Sequence, residues 1–216
     1  MPVKLFGFWR SLAAYRVRIA LNLKGVARED IYINLLKGEQ FSDAYKKVNP
    51  QMVVPALVDG DLVLTQSMAI LEYLEEKYPE PALLPKDPEG RARVRSIALI
   101  SAADTHPLVV PRIRRYIMQD MGQSEDVLND WLKHWQVVGL TSLEAAVANN
   151  PATGKFAHGD TISLADLCIV PQFGAAAMFG VDTTPFPTLK RIYDACVAID
   201  EIAREHPSKQ PDFPPN

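Results

Sequence analysis

A serine stands where a short apolar run meets a helical pattern near the start of the chain. Ser11 follows residues 3–8, which have the pattern of a strand, and opens a helical pattern that ends near Gly25. At such a turn the hydroxyl and nearby amide N–H groups point outward over the positive end of the helix dipole. The turn therefore suits an anion, which would be a phosphate, a carboxylate or a thiolate. Capping of the helix by Ser11 explains the residue equally well without any ligand.

Nucleophilic catalysis by Ser11 is disfavoured by its neighbours. Arg10 and Leu12 flank the serine, whereas hydrolase nucleophiles commonly lie in G-x-S-x-G. The four histidines lie in the second half of the chain, and no spacing links one of them to Ser11. The chain also has no C-x-x-C pair, the motif of thioredoxin-type redox proteins. A hydroxyl that donates a hydrogen bond to a bound thiolate needs no base, so this role stays open.

Two dipeptides in the first half suit a peptide-like ligand. A cis bond between Val54 and Pro55 would turn the Val54 N–H and C=O outward to pair with an extended peptide, but a proline at a strand start is the simpler interpretation. Gln66 and Ser67 lie where a hairpin ends and a helix begins. We predict Ser67 as the N-cap, and a ligand carboxylate could share that helix end with Gln66 as its polar partner.

The second half contributes candidates for a cleft. Pro107 and Pro111 interrupt a helical pattern and predict a kink. Bends open space between helices, so His106 and Arg112 could face a cleft, although a lone histidine is more often packed or exposed. Residues 163–166 (Ser-Leu-Ala-Asp) fit a capping box, to which we assign no chemistry.

The elements that position these residues change character along the chain. Residues 1–80 alternate between strand and helix patterns in the order βαβαββα. A right-handed crossover would make the first two strands parallel, and the turn at Gly60 predicts an antiparallel hairpin. The predicted strands are 3–8, 30–35, 56–59 and 62–65, and the predicted helices are 11–24, 41–48 and 67–78.

A proline-rich connector at residues 81–88 ends this α/β domain. Beyond it, residues 89–216 have helical patterns and predict an all-α domain. The tail from Pro207 onward is predicted to lie extended over the surface. The helical patterns cover about 89–119, 124–148, 163–179 and 187–203.

Composition and charge exclude several classes of protein. The 216 residues are 48% hydrophobic and carry a net charge of −3, which favours a soluble globular protein over one that binds nucleic acid. No apolar run is long enough to cross a bilayer, and the chain enters a strand without the regions of a signal peptide. Cys168 and Cys196 lie among apolar residues with no cationic neighbour in sequence, which predicts buried, inert thiols. No His, Cys or Asp cluster has the spacing of metal ligands, so no metal site is predicted. We therefore expect a cytoplasmic protein without metal, membrane or nucleic-acid partners.

Taken in order, the motifs resemble those of the glutathione transferase family, and specifically its zeta-like members that isomerise maleylacetoacetate or maleylpyruvate. The resemblance covers nearly the whole chain. It is carried by Phe8-Trp9-Arg10-Ser11, residues 16–25, Val54-Pro55-Ala56-Leu57, Gln66-Ser67, residues 164–168 and Gln210-Pro211-Asp212, among others.

The resemblance implies a thioredoxin-like first domain that binds glutathione and an all-α second domain that contributes the site for the electrophile. Ser11 would stabilise the glutathione thiolate. Val54, before a cis Pro55, would pair with the cysteinyl backbone. The other implied glutathione ligands are Gln66 and Ser67 at the γ-glutamyl end, and Gln40 and Gln51 near the glycine end.

The implied activity is a cis–trans isomerisation in the catabolism of aromatic compounds, in which the thiolate adds to the alkene and leaves again. Arg10 and Arg112 are candidates to bind the substrate carboxylates, and His106 would face the cleft. Such proteins usually form homodimers, in which the resemblance implies that Asp104 reaches the glutathione of the partner subunit.

The chain departs from these relatives at several positions. Leu12 and Ala13 replace polar residues after the serine, Met178 replaces an arginine, and Val109 and Val110 replace polar residues near the cleft. Fewer donors and cations weaken the expected grip on a dicarboxylate. Two alternatives follow: a general glutathione transferase that conjugates or dehalogenates apolar electrophiles, and a weakly catalytic glutathione-binding module.

Overall fold

The structure, a computed structural model, describes residues 2–214 in two compact units. Met1–Ala82 and Ile199–Asn216 belong to the first unit, and Leu83–Ala198 form the second. The end of the chain therefore groups with the first unit, whereas the sequence assigned it to the helical domain. One reason is a hydrogen bond of 2.6 Å from Asn22 Nδ2 to the Glu201 carbonyl, which joins the last helix to the first.

A four-stranded mixed sheet forms the centre of the first unit. Its strands are β1 (Val3–Gly7), β2 (Arg28–Tyr32), β3 (Ala56–Asp59) and β4 (Leu62–Thr65), in the spatial order β2-β1-β3-β4. β1 and β2 are parallel, whereas β3 is antiparallel to both β1 and β4. The predicted parallel pair and antiparallel hairpin are confirmed. Gly60 has a φ of 61° in the tight turn of the hairpin, a conformation that side chains disfavour.

The second strand covers Arg28–Tyr32 rather than the predicted 30–35. Asn34 ends it, because its Oδ1 accepts hydrogen bonds from the N–H groups of Leu36 and Lys37. An asparagine that bonds its own downstream backbone forms a turn. The apolar residues after the strand were therefore misread as its continuation.

Between residues 2 and 82 the first unit has three α-helices. They are α1 (Leu12–Leu23), α2 (Asp43–Val48) and α3 (Ser67–Lys77). α1 and α3 pack against each other, and Gly25, with a φ of 62°, follows the end of α1 as predicted. A separate buried cluster beside α2 consists of Phe8, Tyr45 and Val54.

Helices build the second unit. They are α4 (Pro88–Leu99), α5 (Pro111–Arg115), α6 (Glu125–Val147), α7 (Leu164–Gly174) and α8 (Pro187–Val197). α7 packs against α4 and α8 and is buried on nearly all sides. Its sequence is accordingly apolar all round rather than along one stripe.

The predicted helix over 89–119 is interrupted. After α4 the backbone widens into a π-type turn at Ile100–Thr105 and then tightens into a 3₁₀ turn at His106–Leu108. Pro107 and Pro111 have no N–H to donate to a helix carbonyl, so a regular helix cannot continue through them. The predicted break is confirmed.

Two other predicted helices are shorter than their patterns. The one predicted over 163–179 ends at Gly174 and continues only as a 3₁₀ turn at Ala176–Phe179. The one predicted over 187–203 splits into α8 and a separate α9 (Asp200–Ala203), because Ile199 has an extended backbone.

The prediction of an extended surface tail is wrong for the residues that the structure describes. Pro207–Lys209 form a 3₁₀ turn, and Asp212 and Phe213 contact Trp9. Residues 215 and 216 of the predicted tail lie outside the described range.

Three features of residues 2–214 bear on membranes, metals and thiols. None of their helices is both long and apolar enough to cross a bilayer. They contain no group of three or more His, Cys, Asp or Glu side chains that could hold a metal ion together. Cys168 and Cys196 are buried, as predicted, and neither forms a disulfide bond. Burial raises the pKa of the Cys196 thiol and keeps it protonated.

Candidate functional site

Ser11 builds the N-terminus of α1. Its backbone is extended (φ −76°, ψ 114°), and its Oγ accepts a hydrogen bond of 3.2 Å from the Ala14 N–H. The predicted capping role is confirmed. Because the oxygen accepts this bond, the hydroxyl proton remains available to donate elsewhere. Helix geometry leaves the N–H groups of Leu12 and Ala13 without an acceptor inside α1, and the half-buried Arg10 directly precedes the cap.

The N-terminus of α3 is built differently, and here the predicted cap is wrong. Gln66 occupies the N-cap position with a positive φ of 68°. Ser67 is the first residue of the helix, and its buried Oγ accepts a hydrogen bond of 3.3 Å from Arg16 Nη1. Arg16 is itself buried in α1. The serine hydroxyl therefore serves this guanidinium rather than the first turn of its own helix.

Three glutamines predicted to bind one ligand have different surroundings. Gln66 Nε2 donates to Gln51 Oε1 at 2.9 Å, and both side chains are exposed. This bond joins two residues that the resemblance assigned to opposite ends of glutathione. Gln40 is buried, and within residues 2–214 its Oε1 accepts no hydrogen bond. A buried amide oxygen without a donor costs about 1–3 kcal/mol, so an N–H from a ligand would be favourable there.

The Val54–Pro55 peptide bond is cis, as the resemblance implied. Val54 is buried at the entrance of β3. The carbonyl of Val53 accepts two hydrogen bonds of 2.7 Å, one from the Tyr45 hydroxyl and one from Asn49 Nδ2. Burial raises the pKa of Tyr45 to about 12, so this hydroxyl keeps its proton at neutral pH. The backbone just before the cis bond is thereby held in place.

Sequence reasoning missed the residues that hold the loop before Ser11. The Trp9 N–H donates to Asp212 Oδ2 at 2.8 Å. Arg18, buried in α1, donates to the carbonyls of Phe8 at 3.3 Å and Trp9 at 3.4 Å. No local pattern links a residue to a partner 203 positions away. The sequence singled out Asp212 only as part of the Gln210-Pro211-Asp212 motif shared with the glutathione transferase family, and that motif indicated no role for it.

The second unit carries the remaining predicted residues. Asp104 is exposed in the π-type turn, His106 is half-buried at the start of the 3₁₀ turn, and Arg112 is exposed on α5. Val109 is buried, at 2% exposure. Met178 is 51% exposed.

The capping box of α7 is structural, as predicted. The Asp166 carboxylate accepts hydrogen bonds from the Ser163 N–H at 2.9 Å, the Ser163 hydroxyl at 2.8 Å and the Ala157 N–H at 2.8 Å. Burial raises the pKa of Asp166, and these hydrogen bonds oppose the shift. The Asp166 carboxylate therefore holds the loop before α7 through these three hydrogen bonds.

The first unit thus offers two helix N-termini that follow strands of one sheet. Each attracts negative charge through its dipole and its N–H groups. One adds the Ser11 hydroxyl, and the other adds the exposed amides of Gln66 and Gln51. Such a set suits an extended, peptide-like ligand with two anionic groups.

Comparison with known proteins supports this description of the first unit. Residues 1–76 match the family model of the glutathione S-transferase N-terminal domain. Over 97% of its length the chain is 46% identical to maleylpyruvate isomerase of Ralstonia sp, of which it covers 99%.

Solved structures extend the match to the whole fold. The chain superposes with a TM-score of 0.95 and 46% identity on the holo structure of maleyl pyruvate isomerase, a bacterial glutathione S-transferase of the zeta class, covering 98% of this chain and 100% of that one. A maleylacetoacetate isomerase from Methylobacterium extorquens AM1, solved with bound malonate and GSH, gives a TM-score of 0.96 at 46% identity, with the same coverage. The predicted fold class, a thioredoxin-like domain followed by an all-α domain, is confirmed. The chain belongs to the glutathione S-transferase family, and within it to the zeta class.

Proposed function

We propose that this protein is a glutathione-dependent cis–trans isomerase of maleylpyruvate or maleylacetoacetate in the catabolism of aromatic compounds. The observation that carries the proposal is the Ser11-capped N-terminus of α1, in a chain that matches maleylpyruvate isomerase of Ralstonia sp over 97% of its length. The Methylobacterium relative was solved with GSH and malonate, which is a dicarboxylate. The proposed substrates are dicarboxylates as well.

The first unit fits glutathione at several points. The buried Oε1 of Gln40 suits a peptide N–H such as the glycyl amide. Val54, at the entrance of β3, is proposed to pair with the cysteinyl backbone. At the N-terminus of α3, Gln66 and Ser67 are proposed to hold the γ-glutamyl carboxylate. We place Gln51 at this same end, because it is bonded to Gln66.

When bound, glutathione supplies the thiolate for a reversible addition to the cis alkene, which is restored as the trans isomer when the thiolate leaves. Ser11 lowers the free energy of the negative sulfur by donating a hydrogen bond from its hydroxyl, while its oxygen keeps the bond from the Ala14 N–H. The dipole of α1 acts in the same direction. Leu12 and Ala13 add backbone N–H groups but no hydroxyl, so Ser11 carries the side-chain contribution of this turn.

Cationic and polar residues are proposed to bind the rest of the reactants. Arg10, next to Ser11, is proposed to bind a substrate carboxylate, since a guanidinium stays charged and bonds carboxylates in a fork. In the second unit Arg112 is proposed for the other carboxylate and His106 for glutathione.

Asp104 is proposed to contact the glutathione of the partner subunit in a homodimer. Two buried thiols that form no disulfide suit a reducing cytoplasm, the proposed location.

The test is glutathione-dependent loss of the cis substrate. Purified protein is mixed with glutathione and maleylpyruvate, or with glutathione and maleylacetoacetate, and the cis and trans acids and free thiol are measured with time. We expect conversion to the trans acid without loss of thiol. Absence of glutathione-dependent conversion of both substrates removes the proposed activity, and light scattering at working concentration tests the homodimer.

A second candidate function is conjugation or dehalogenation of apolar electrophiles. It is favoured by large apolar side chains exposed in the second unit, with Met178 at 51% and Tyr116 at 57%. Exposed apolar area binds a neutral electrophile better than a dicarboxylate. Turnover of halogenated aromatic compounds with stoichiometric loss of glutathione would separate this activity from isomerisation.

A further inference from the structure

The end of the chain contacts the loop that carries Ser11. The Trp9 N–H donates to Asp212 Oδ2 at 2.8 Å, and the Trp9 ring lies edge-on to Phe213 with centroids 4.8 Å apart. The Ser11 N–H donates to the Phe8 carbonyl at 3.0 Å. The Trp9 peptide therefore lies inside a tight turn from Phe8 to Ser11, and this turn rests on the C-terminal segment.

A buried ion network holds the carbonyl groups of the same turn. The Arg18 guanidinium donates to the carbonyls of Phe8 and Trp9. Its Nε lies 3.6 Å from Glu205 Oε2. Glu205 also accepts two hydrogen bonds from Arg28 Nη2, at 2.8 and 2.9 Å. Burial lowers the pKa of Arg18 and the Glu205 carboxylate opposes this, so the guanidinium stays charged. Glu205 and Asp212 are both in the C-terminal segment, and both act on this one turn.

The Asp212 carboxylate has a hydrogen-bond partner for only one of its two oxygens within residues 2–214. Its Oδ2 accepts the bond from Trp9, but its Oδ1 is buried without a hydrogen-bond partner in the part of the chain that the structure describes. A buried carboxylate oxygen without a donor loses its hydration and gains no hydrogen bond to compensate. The bond that Asp212 makes to another residue is to the Trp9 backbone, so its effect falls on the turn that carries Ser11.

We propose that Asp212 is a positioning residue, which orients the turn from Phe8 to Ser11 so that the Ser11 hydroxyl meets the sulfur of glutathione. The inference rests on the proposed function. A hydroxyl donates well only within a narrow range of distance and angle, and the other glutathione ligands proposed above lie outside this turn. A shift of the turn therefore separates donor from sulfur without emptying the site.

The test compares substitutions that remove, keep or displace the acceptor of the Trp9 N–H. Asp212→Ala removes it, and a displacement of about 1 Å at a catalytic group costs about 100-fold in rate, so we expect a fall in kcat of about 10-fold or more. The pKa of bound glutathione, followed by thiolate absorbance against pH, should rise, while the Kd for glutathione changes by less than about threefold. Asp212→Asn keeps an oxygen at this place and should restore most of both properties.

Asn22→Ala is the matched control. It removes the bond from Asn22 Nδ2 to the Glu201 carbonyl, which anchors the same segment on α1 without touching the turn. We expect a wild-type thiol pKa in this variant. An equal shift in Asn22→Ala and Asp212→Ala would show that Asp212 only docks the tail, and would overturn the inference.

The outcomes also separate the two proposals. If the wild-type protein neither lowers the thiol pKa of glutathione nor isomerises the cis acids, the proposed function fails. If it does both and Asp212→Ala matches it, only the positioning role fails. Should Asp212→Ala not fold, Asp212→Glu displaces the acceptor by one methylene and keeps the charge. A wild-type thiol pKa and kcat in that variant would equally contradict the role.

Discussion

The N-termini of α1 and α3 follow strands of the same sheet, and each has a serine at or next to its cap, yet the two serines do different things. Ser11 accepts the N–H of Ala14 in its own helix. Ser67 lies one position further into its helix and accepts from Arg16, which leaves Gln66 at the cap. In this chain the serine at the N-cap position caps its helix, whereas the serine one position further along bonds a buried arginine instead.

Because of this difference, we propose that the two helix ends have different roles toward glutathione. At α1 the serine oxygen is satisfied locally, so its proton is free to stabilise a thiolate. At α3 the hydroxyl also serves a buried cation, and the exposed amides of Gln66 and Gln51 supply the outward contacts. Substitutions at the two ends should thus affect different steps.

Ser11→Ala is expected to have the largest effect. Removal of a preorganised donor to a developing charge costs about 100-fold or more in kcat, while loss of the cap costs about 1 kcal/mol in the free energy of unfolding. The Kd for glutathione should be nearly retained. Initial rates of isomerisation, thiolate absorbance and calorimetry measure the three quantities, with Ser11→Thr as the control that keeps a hydroxyl. Unchanged activity would show that backbone amides carry the role.

Ser67→Ala is expected to affect binding and stability rather than turnover. It removes an acceptor of the buried Arg16, which costs about 1–3 kcal/mol in the free energy of unfolding. The KM for glutathione should rise, whereas kcat at saturating glutathione should stay close to wild type. Denaturant unfolding and steady-state kinetics check this. A fall in kcat as large as that of Ser11→Ala would erase the functional difference between the two helix ends.

Gln66→Gly separates the backbone of the α3 cap from its side chain. Glycine adopts a positive φ without the penalty of about 1 kcal/mol that a side chain adds, so the free energy of unfolding should stay level or rise by up to that amount. Gln66→Ala loses the same amide but keeps the penalty, and it is the matched control. Both variants should raise the KM for glutathione equally. If Gln66→Gly unfolds more easily than Gln66→Ala, the cap is not strained.

Asp212→Asn tests the charge beside the α1 loop and should have the smallest effect. Burial raises the pKa of Asp212, opposed by the Trp9 N–H and Arg18 and reinforced by Asp30, and Tyr32 also lies near it. Because the pKa of Asp212 is higher in the folded than in the unfolded state, its protonated form stabilises the fold. This contribution is fully present below the unfolded-state pKa and is lost as pH rises through the raised, folded-state pKa. Wild-type protein should therefore lose stability relative to the variant over that interval. Parallel unfolding curves against pH would contradict this.

Much of the fold followed from local signals. The turn at Gly60, the helix end at Gly25 and the break at Pro107 each depend on the backbone preferences of one or two residues, and each was predicted correctly. The end of β2 was missed although its signal is local too, because the Asn34 turn was read as strand. The error was one of turn chemistry rather than of missing information.

The sequence by itself determined the order of strands and helices, the Ser11 cap and the family motifs, since each depends on residues within a few positions of one another. Only the tertiary structure decided that Ser67 serves Arg16, 51 positions away, and that Asp212 holds Trp9, 203 positions away. A local pattern shows which groups can donate or accept. Burial against a distant segment decides which of them must, because a buried polar group has no water to bond instead.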